Sequence, residues 1–164
     1  MRRIRSIALV HETLSRAPGE EVVFDEIVRP LVRMVQDGLL SDERPVGVDV
    51  SGEAGELPAQ VATPLAVILT ELLQNAVGHA FPDDASSQGA VEVQLVNNGD
   101  QLVVVVHDNG VGLPEDFELA TSSGLGLTIV RALVTSELSG TIEMRTDHGT
   151  VVELRIPLKT VAVG

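Results

Sequence analysis

The sequence predicts an α/β protein whose fold is a two-layer α/β sandwich, with helices on one face of a mixed sheet. Stretches in which apolar residues recur at helical spacing are interspersed with stretches in which apolar and polar residues alternate. The 164 residues include three Phe and neither Tyr nor Trp. The core must therefore be filled by Val, Leu, Ile and Ala, which favours a sheet packed against helices. A chain of this length fits one domain.

The first half of the chain contains three patterns of helical spacing and one strand-like alternation. In chain order they predict a helix over residues 2–16, a helix over 25–36, a strand over 45–51, a loop over 52–58 and a helix over 65–80. Pro30 disturbs the first turns of the second helix, and Gly38 ends it. Thr63 and Pro64 open the third helix, because a hydroxyl side chain caps a helix and Pro fits its first position.

The second half predicts two hairpins separated by a helix. The elements are strands over 91–95 and 102–106, a helix over 127–138, and strands over 141–146 and 151–157. Asn98-Gly99 is a strong signal for the first hairpin turn. Because residues 102–106 are all apolar, they predict a strand that is buried on both faces and central in the sheet. Gly140 ends the helix, and residues 147–149 form the second turn.

Composition and charge exclude several classes of function. The chain has 24 acidic and 11 basic residues, a net charge of −13, and such a field repels the phosphates of nucleic acids. The single lysine, Lys159, is too late in the chain for a Walker-type loop or a protein-kinase-like fold. Without cysteine there is no disulfide and no Cys-ligated zinc. Neither an 18-residue apolar run nor a signal-peptide core is present, so we expect no membrane segment and a cytoplasmic location.

The helix predicted over 65–80 carries a polar ridge along the border of its apolar face. Glu71, Asn75 and His79 follow one another at intervals of one turn. Each of them alone suits a solvated flank of the helix. An acid and an amide one turn apart also suit a magnesium phosphate site, because the amide oxygen binds a hard cation and the carboxylate orients a water or accepts a proton.

A run of Asp, Asn and Gly follows the predicted central strand. Residues 108–112 suit an ordinary turn. They also suit a nucleotide site, since Asp108 at a strand end can accept a hydrogen bond from an exocyclic amine such as that of adenine. Gly110 and Gly112 allow the main chain to approach a flat ligand closely.

Two further glycine motifs follow. Residues 124–127, Gly-Leu-Gly-Leu, open a helix, so their main-chain amides can hold phosphate at its positive end. The polar span 114–123 before them predicts either a solvated loop or a lid over a ligand. Gly149 and Thr150 open the last strand. A Thr there is commonly only a strand former, yet its hydroxyl can reach the carboxylate that binds the base.

In this order, the four motifs resemble the asparagine box and the glycine boxes of the Bergerat (GHKL) ATP-binding fold, shared by gyrase, a heat-shock chaperone family, MutL and sensor histidine kinases. The resemblance spans about residues 60–158. Residues 65–82 resemble the ATPase helix of HWE-related sensor histidine kinases, and residues 6–14 are similar to the end of their dimerisation hairpin. The pattern is similar to actinobacterial kinases of the PdtaS type, which pair with RNA-binding antitermination regulators.

This resemblance implies ATP and Mg²⁺ as cofactors and gives roles to individual residues. Asn75 would hold Mg²⁺, Glu71 would be the general base, and Asp108 would read the adenine amine, assisted by Thr150. The remaining implied nucleotide-binding residues are Gly110 and Gly112 beside the base, Gly124, Leu125, Gly126 and Leu127 at the phosphates, and Ala76 and His79 on the helix. Arg131 is the nearest cationic candidate by sequence.

Several features depart from the family pattern. Gly78 stands where these kinases usually have a Lys that contacts phosphate, and Phe117 is all that remains of a phenylalanine-rich lid box. The family's phosphate-accepting His lies before the matched region, so we expect it to be absent from this chain. His11 is a weak candidate, because its neighbours match a later helix.

The expected organisation is therefore the end of a dimerisation hairpin over residues 1–16 and a catalytic ATP-binding domain over 20–160. The implied function is transfer of the γ-phosphoryl group of ATP to a histidine on an upstream dimerisation helix, for relay to a response regulator by a homodimer. Two alternatives remain open. One is an anti-sigma-type Ser/Thr kinase or an ATPase on the same fold, which residues 10–14 disfavour. The other is a degenerate nucleotide-binding module without transfer, for which Gly78 is the best support.

Overall fold

The structure is a computed structural model that describes residues 21–39, 46–79, 89–110 and 125–158. The helix predicted over residues 2–16 lies outside these ranges. In chain order the elements are β1 (Glu21–Val23), α1 (Asp25–Leu39), β2 (Val46–Glu53), β3 (Glu56–Pro58), α2 (Ala59–His79), β4 (Gly89–Asn97), β5 (Gln101–Asp108), α3 (Leu125–Ala132), a π-helical turn (Leu133–Glu137), β6 (Thr141–Thr146) and β7 (Thr150–Pro157).

Five of the described strands form one mixed sheet, in the order β2-β4-β5-β7-β6. β2 runs parallel to β4, and the other neighbouring pairs are antiparallel. The pairs β4–β5 and β6–β7 are the two predicted hairpins, and β5 is central as predicted. The helices share one core with one side of this sheet, which confirms the predicted two-layer fold.

Among the described residues, the helices cover one face of the sheet, and the other face is called the open face here. On β5 the even-numbered side chains of 102–108 are buried, whereas the odd-numbered ones of 101–107 are half-buried. Val93 of β4 and Val152 of β7 are the register partners of Val106 and are also buried, so the covered face is continuous. The prediction that β5 is buried on both faces is therefore wrong. Its apolar run reflects the strand preference of Val as well as burial.

The helix α2 begins earlier than predicted, at Ala59 rather than at Thr63-Pro64. β3 leads directly into it, and both Ala59 and Ala62 are buried in the core. Pro64 lies inside the helix, where its missing N–H removes one hydrogen bond near the helix start. Burial of the preceding residues therefore outweighs the capping signal of Thr63, whose side chain is exposed.

The apolar face of α2 packs into the core as its periodicity predicts. Its buried residues beyond Ala59 are Ala62, Leu65, Ala66, Ile68, Leu69, Leu72, Leu73 and Ala76. Through this face and its flanks α2 contacts α1, α3, the π-helical turn, β4 and β5. No helix in the described part of the chain is long and apolar enough to cross a membrane.

Residues 52–58 do not form the predicted loop. β2 continues through Glu53, and β3 pairs with β1 in a small antiparallel sheet. The connection between β2 and β3 is held by Asp25, whose Oδ1 accepts the Ala54 N–H and whose Oδ2 accepts the Gly55 N–H, both at 2.8 Å. These partners are 29 and 30 residues apart along the chain, so no local pattern reveals them.

The helix predicted after the Gly-Leu-Gly-Leu motif consists of α3 and the π-helical turn. In this turn the Leu138 N–H bonds to the Leu133 carbonyl at 3.0 Å, which is the wider i→i−5 spacing. The Gly140 N–H then bonds to the Val134 carbonyl at 2.8 Å. A Cβ on Gly140 would meet the Arg155 carbonyl, so the chain needs a glycine where the helix ends beside β7.

Candidate functional site

Asp108, the last residue of β5, is the one buried polar or charged residue in the described part of the chain, with 5% exposure. Its Oδ1 accepts hydrogen bonds from the main-chain N–H groups of Gly110 at 2.9 Å and Thr150 at 3.1 Å. No described residue donates to Oδ2. Because burial of an unpaired charge is costly, these donors stabilise the carboxylate, and they also fix its orientation.

Asn109 explains why β5 ends where it does. Its main-chain N–H donates to the Ala90 carbonyl at 3.1 Å, and its side-chain Oδ1 accepts the Ala90 N–H at 2.9 Å. The side-chain oxygen thereby takes the place of the Asn109 carbonyl in the next pair of the β4–β5 ladder, and the chain is free to turn at Gly110. Sequence reasoning treated Asn109 only as a turn residue. Its one signal was an amide side chain directly after a strand.

The start of β7 approaches Asp108 through Gly149 and Thr150. Sequence reasoning expected the Thr150 hydroxyl to reach the carboxylate, whereas the bond in the structure comes from its main-chain N–H. Gly149 has φ of 122°, and a Cβ there would collide with the Asp108 carbonyl. A glycine at this position therefore lets the β6–β7 turn lie against the end of β5.

Glu71 and Asn75 lie one turn apart on α2, and both are half-buried. At 100° per residue they stand on the border of the buried arc, next to Ile68 and Leu72. Among the residues that the structure describes, neither side chain makes a hydrogen bond or an ion pair. Ala76, the next residue, is buried in the arc itself. Glu71 and Asn75 are thus neither core residues nor fully solvated ones, and no described residue occupies their oxygen atoms.

The structure describes the phosphate end of the predicted site in part. α3 begins at Leu125, so the main chain of Gly126 lies in its first turn, as the motif predicts. Leu127 packs against the core, and Arg131 is exposed in the last turn of α3. The main chain of His79 ends α2. The predicted site residues Gly112 and Gly124 and the lid predicted over 114–123 lie outside the described residues.

α2 connects these parts of the site. It contacts β5, which ends at Asp108, and it contacts α3, whose first turn contains Gly126. Three kinds of group are therefore carried by elements that meet at α2. They are a buried hydrogen-bond acceptor, a pair of oxygen donors, and main-chain amides at the start of a helix.

The oxygen donors of α2 fit Mg²⁺ when the ion also binds phosphate. No group of three or more His, Asp or Glu side chains in the described ranges is arranged to hold a metal ion. Mg²⁺ in proteins commonly keeps several waters and takes only one or two protein ligands together with substrate phosphates. The half-buried amide of Asn75, with the Glu71 carboxylate one turn away, meets this requirement.

Comparison with known proteins agrees with the predicted resemblance. Residues 60–160 match the family described as histidine kinase-, DNA gyrase B-, and HSP90-like ATPase. Over 160 residues the chain is 43% identical to the sensor histidine kinase PdtaS from Mycobacterium tuberculosis, and the match covers 96% of this chain and 32% of that protein. The chain thus spans about a third of the length of this curated relative.

The fold of this chain is also similar to that of solved histidine kinase structures. The histidine kinase domain of a blue-light activated histidine kinase from Erythrobacter litoralis is similar with a TM-score of 0.81 and 27% identity, over 96% of this chain and 73% of that one. The histidine kinase AdeS from Acinetobacter baumannii has a TM-score of 0.67 over 96% of this chain and 76% of that one. At 19% identity, AdeS supports the fold alone.

Proposed function

This chain belongs to the family of histidine kinase-, DNA gyrase B- and HSP90-like ATPases, and we propose that it acts as the catalytic ATP-binding domain of a sensor histidine kinase. The buried carboxylate of Asp108 carries the proposal. With Oδ1 bonded to two main-chain N–H groups, the carboxylate presents a fixed acceptor to an amine. Adenine has such an amine, and a carboxylate accepts only, so Asp108 would select it.

The remaining residues of the proposed site would surround the adenine and the phosphates. Gly110 and Gly112 would flank the adenine, and the main chain of residues 124–127 would bind phosphate at the start of α3. Ala76 would line the pocket from α2. His79 and Arg131 are the nearest side chains that can add positive charge.

Asn75 would hold Mg²⁺, which when bound neutralises phosphate charge. The acceptor would be a histidine on the dimerisation helix. Its imidazole nitrogen attacks the γ-phosphorus, the bond from that phosphorus to the bridging oxygen breaks, and ADP leaves. Glu71 would take the imidazole proton. The residues of this chain thus contribute mainly by positioning.

The wider organisation follows from the same proposal. Residues 1–16 would be the end of a dimerisation hairpin, and 20–160 the catalytic domain. The whole protein would be a cytoplasmic homodimer that passes its phosphoryl group to a response regulator, of the RNA-binding antitermination type. A Ser/Thr kinase, an ATPase or a module without transfer is less favoured, because the relative named above, PdtaS, is a sensor histidine kinase.

Calorimetric titration with ATP tests the binding step. We expect binding in Mg²⁺ and much weaker binding in chelator, and Asn75→Ala should abolish this difference. Gln74→Ala is the matched control, since Gln74 is also half-buried on α2 but lies about 100° around the helix from Asn75. Equal binding in chelator would exclude the role of Asn75, and no binding in either condition would exclude the proposed function.

Incubation with γ-labelled ATP tests the transfer step. We expect label when a separate dimerisation hairpin carrying an acceptor histidine is added, and none on this chain alone. Phosphohistidine is lost in acid, whereas phosphoserine and phosphothreonine survive, so acid treatment separates the histidine kinase from the Ser/Thr kinase. Label on this chain that disappears in His11→Gln would instead identify His11 as the acceptor.

A further inference from the structure

His107 precedes Asp108 on β5, and its side chain lies on the open face of the sheet because neighbouring residues of a strand alternate. Its Nε2 lies 2.9 Å from the main-chain carbonyl oxygen of Asp147 in the turn between β6 and β7. A carbonyl only accepts hydrogen bonds, so the histidine nitrogen is the donor.

The β6–β7 turn is therefore attached to β5 from both faces of the sheet. On the open face the Asp147 carbonyl accepts from His107, and on the covered face the Thr150 N–H donates to Asp108 Oδ1. Between the two attachments, the Asp147 N–H bonds to the Gly149 carbonyl at 3.0 Å. This bond closes residues 147–149 into a tight turn between the two attachments.

Other restraints hold the flanks of the turn, because β6 and β7 pair up to Thr146 and Thr150 and Gly149 lies against the Asp108 carbonyl. The regular pairing of β5 with β7 ends at His107 and Val151, and the His148 side chain is 95% exposed. Both His148 and Gly149 have positive φ, 53° and 122°. The bond from His107 adds to these restraints a hydrogen bond to the turn itself, at Asp147, three residues before Thr150.

We propose that His107 is a positioning residue for the adenine site, which keeps the Thr150 N–H aligned with Asp108 Oδ1 and so fixes the direction of Oδ2. The inference rests on the proposed function, because it assumes that Asp108 reads the amine of adenine. A residue that only holds the β6–β7 hairpin against β5 would affect the free energy of unfolding and nothing else. A positioning residue also affects the preference for a base that carries the amine.

The experiment compares the affinities of Mg·ATP and of Mg·purine riboside triphosphate, which lacks the exocyclic amine. His107→Val removes the donor and keeps strand preference, and His107→Thr is a second variant whose hydroxyl is too short to reach Asp147. Each should lower the ratio of the affinity for Mg·ATP to the affinity for Mg·purine riboside triphosphate by about two- to ten-fold, the effect of one net hydrogen bond. His107→Gln, which places an N–H near Nε2, should restore the ratio, and His148→Asn is the control in the same turn.

An unchanged ratio in His107→Val and His107→Thr would overturn the proposal. A lowered ratio that His107→Gln restores would support it, and a loss of stability with the ratio kept would assign His107 to the hairpin alone. A wild-type chain that binds both nucleotides equally would overturn the role of Asp108, and with it the proposed reading of the base.

Discussion

Two aspartates in this structure each accept hydrogen bonds from two main-chain N–H groups, at least one of them from a distant segment, and they do so differently. Asp25 gives one oxygen to each donor, Oδ1 to Ala54 and Oδ2 to Gly55. Asp108 accepts both of its donors with Oδ1, and no described residue donates to its Oδ2. The first carboxylate joins the start of α1 to the β2–β3 connection, and the second joins the end of β5 to the start of β7.

Under the proposed function, this difference distinguishes a carboxylate that is only structural, Asp25, from one that would also bind a ligand, Asp108. A carboxylate that only links two segments can use both oxygens for the main chain. One that links segments and also binds a ligand needs one oxygen fixed and the other directed elsewhere. The comparison therefore predicts that the same substitution, Asp to Asn, has opposite effects at Asp25 and Asp108.

Asp108→Asn should give the largest effect, a loss of ATP affinity. The amide oxygen can occupy the position of Oδ1 and accept both N–H groups, so the free energy of unfolding should change by less than about 1 kcal/mol. The amide NH₂ then occupies the position of Oδ2 and faces the adenine amine, donor against donor. We expect ATP binding to weaken about 100-fold in calorimetric titration, as for the loss of a hydrogen bond to a charged group.

Asp108→Ala is the matched comparison for this prediction. It removes the acceptor, so two main-chain N–H groups lose their partner and the free energy of unfolding should fall by about 2 kcal/mol, measured by urea denaturation. ATP affinity of wild-type strength in Asp108→Asn would contradict the assignment of Oδ2 to the ligand.

Gly149→Ala sharpens the comparison by disturbing the contact between Asp108 and β7 without changing the carboxylate. Positive φ and the collision with the Asp108 carbonyl should together lower the free energy of unfolding by about 2 to 3 kcal/mol. ATP affinity should fall as well, because the Thr150 N–H is displaced from Oδ1.

Gly99→Ala is the control for Gly149→Ala. Gly99 also lies in a hairpin turn at positive φ, 91°, but a Cβ there meets nothing within 4 Å. Its replacement should cost about 1 kcal/mol of stability and leave ATP affinity unchanged. Equal losses of stability and of affinity in the two variants would show that the contact with Asp108 is unimportant.

Asp25→Asn should lower stability and leave the nucleotide site intact. One of the two donors would face the new NH₂ group instead of an oxygen, so the free energy of unfolding should fall by about 1 to 2 kcal/mol, as measured by urea denaturation. ATP affinity should stay at the wild-type value when titrated well below the melting temperature. A decrease in affinity comparable to that of Asp108→Asn would break the distinction between the two carboxylates.

The sequence predicted those parts of the fold and site that depend on neighbours along the chain. The two hairpins, the apolar arc of α2 and the position of Asp108 at a strand end follow from alternation, helical spacing and turn residues. The sequence motifs also predicted that Gly110 and Thr150 belong with Asp108. The structure places both of their N–H groups on its Oδ1.

The parts that were wrong or missed depend on partners far along the chain. Residues 52–58 were expected to be a loop, but their strand pairing is with β4 and β1. The helix start at Ala59 depends on burial in the core rather than on the cap at Thr63. The bond from His107 to Asp147 spans 40 residues, and nothing in the local sequence predicts it.

Gly78→Lys should give the smallest effect, a gain in ATP affinity that involves neither carboxylate. Between residues 34 and 130 the only Lys or Arg is Arg44, and the chain carries a net charge of −13, so the phosphates meet little positive charge. A Lys near 4 Å from a phosphate in a solvent-screened site should contribute about 1 kcal/mol. The gain should shrink as salt is raised, because ions screen exposed charges over about 10 Å at 0.1 M.

Gly78→Gln separates this charge effect from the effect on the helix. Gly inside a helix costs about 0.5 to 1 kcal/mol relative to Ala, so both Lys and Gln should stabilise α2, but only Lys should tighten ATP binding at low salt. The same gain should appear in the Asp25→Asn background, because that carboxylate is not part of the site. If Gln tightened binding as much as Lys did, the phosphate end would be limited by the stability of α2, and the charge argument would fail.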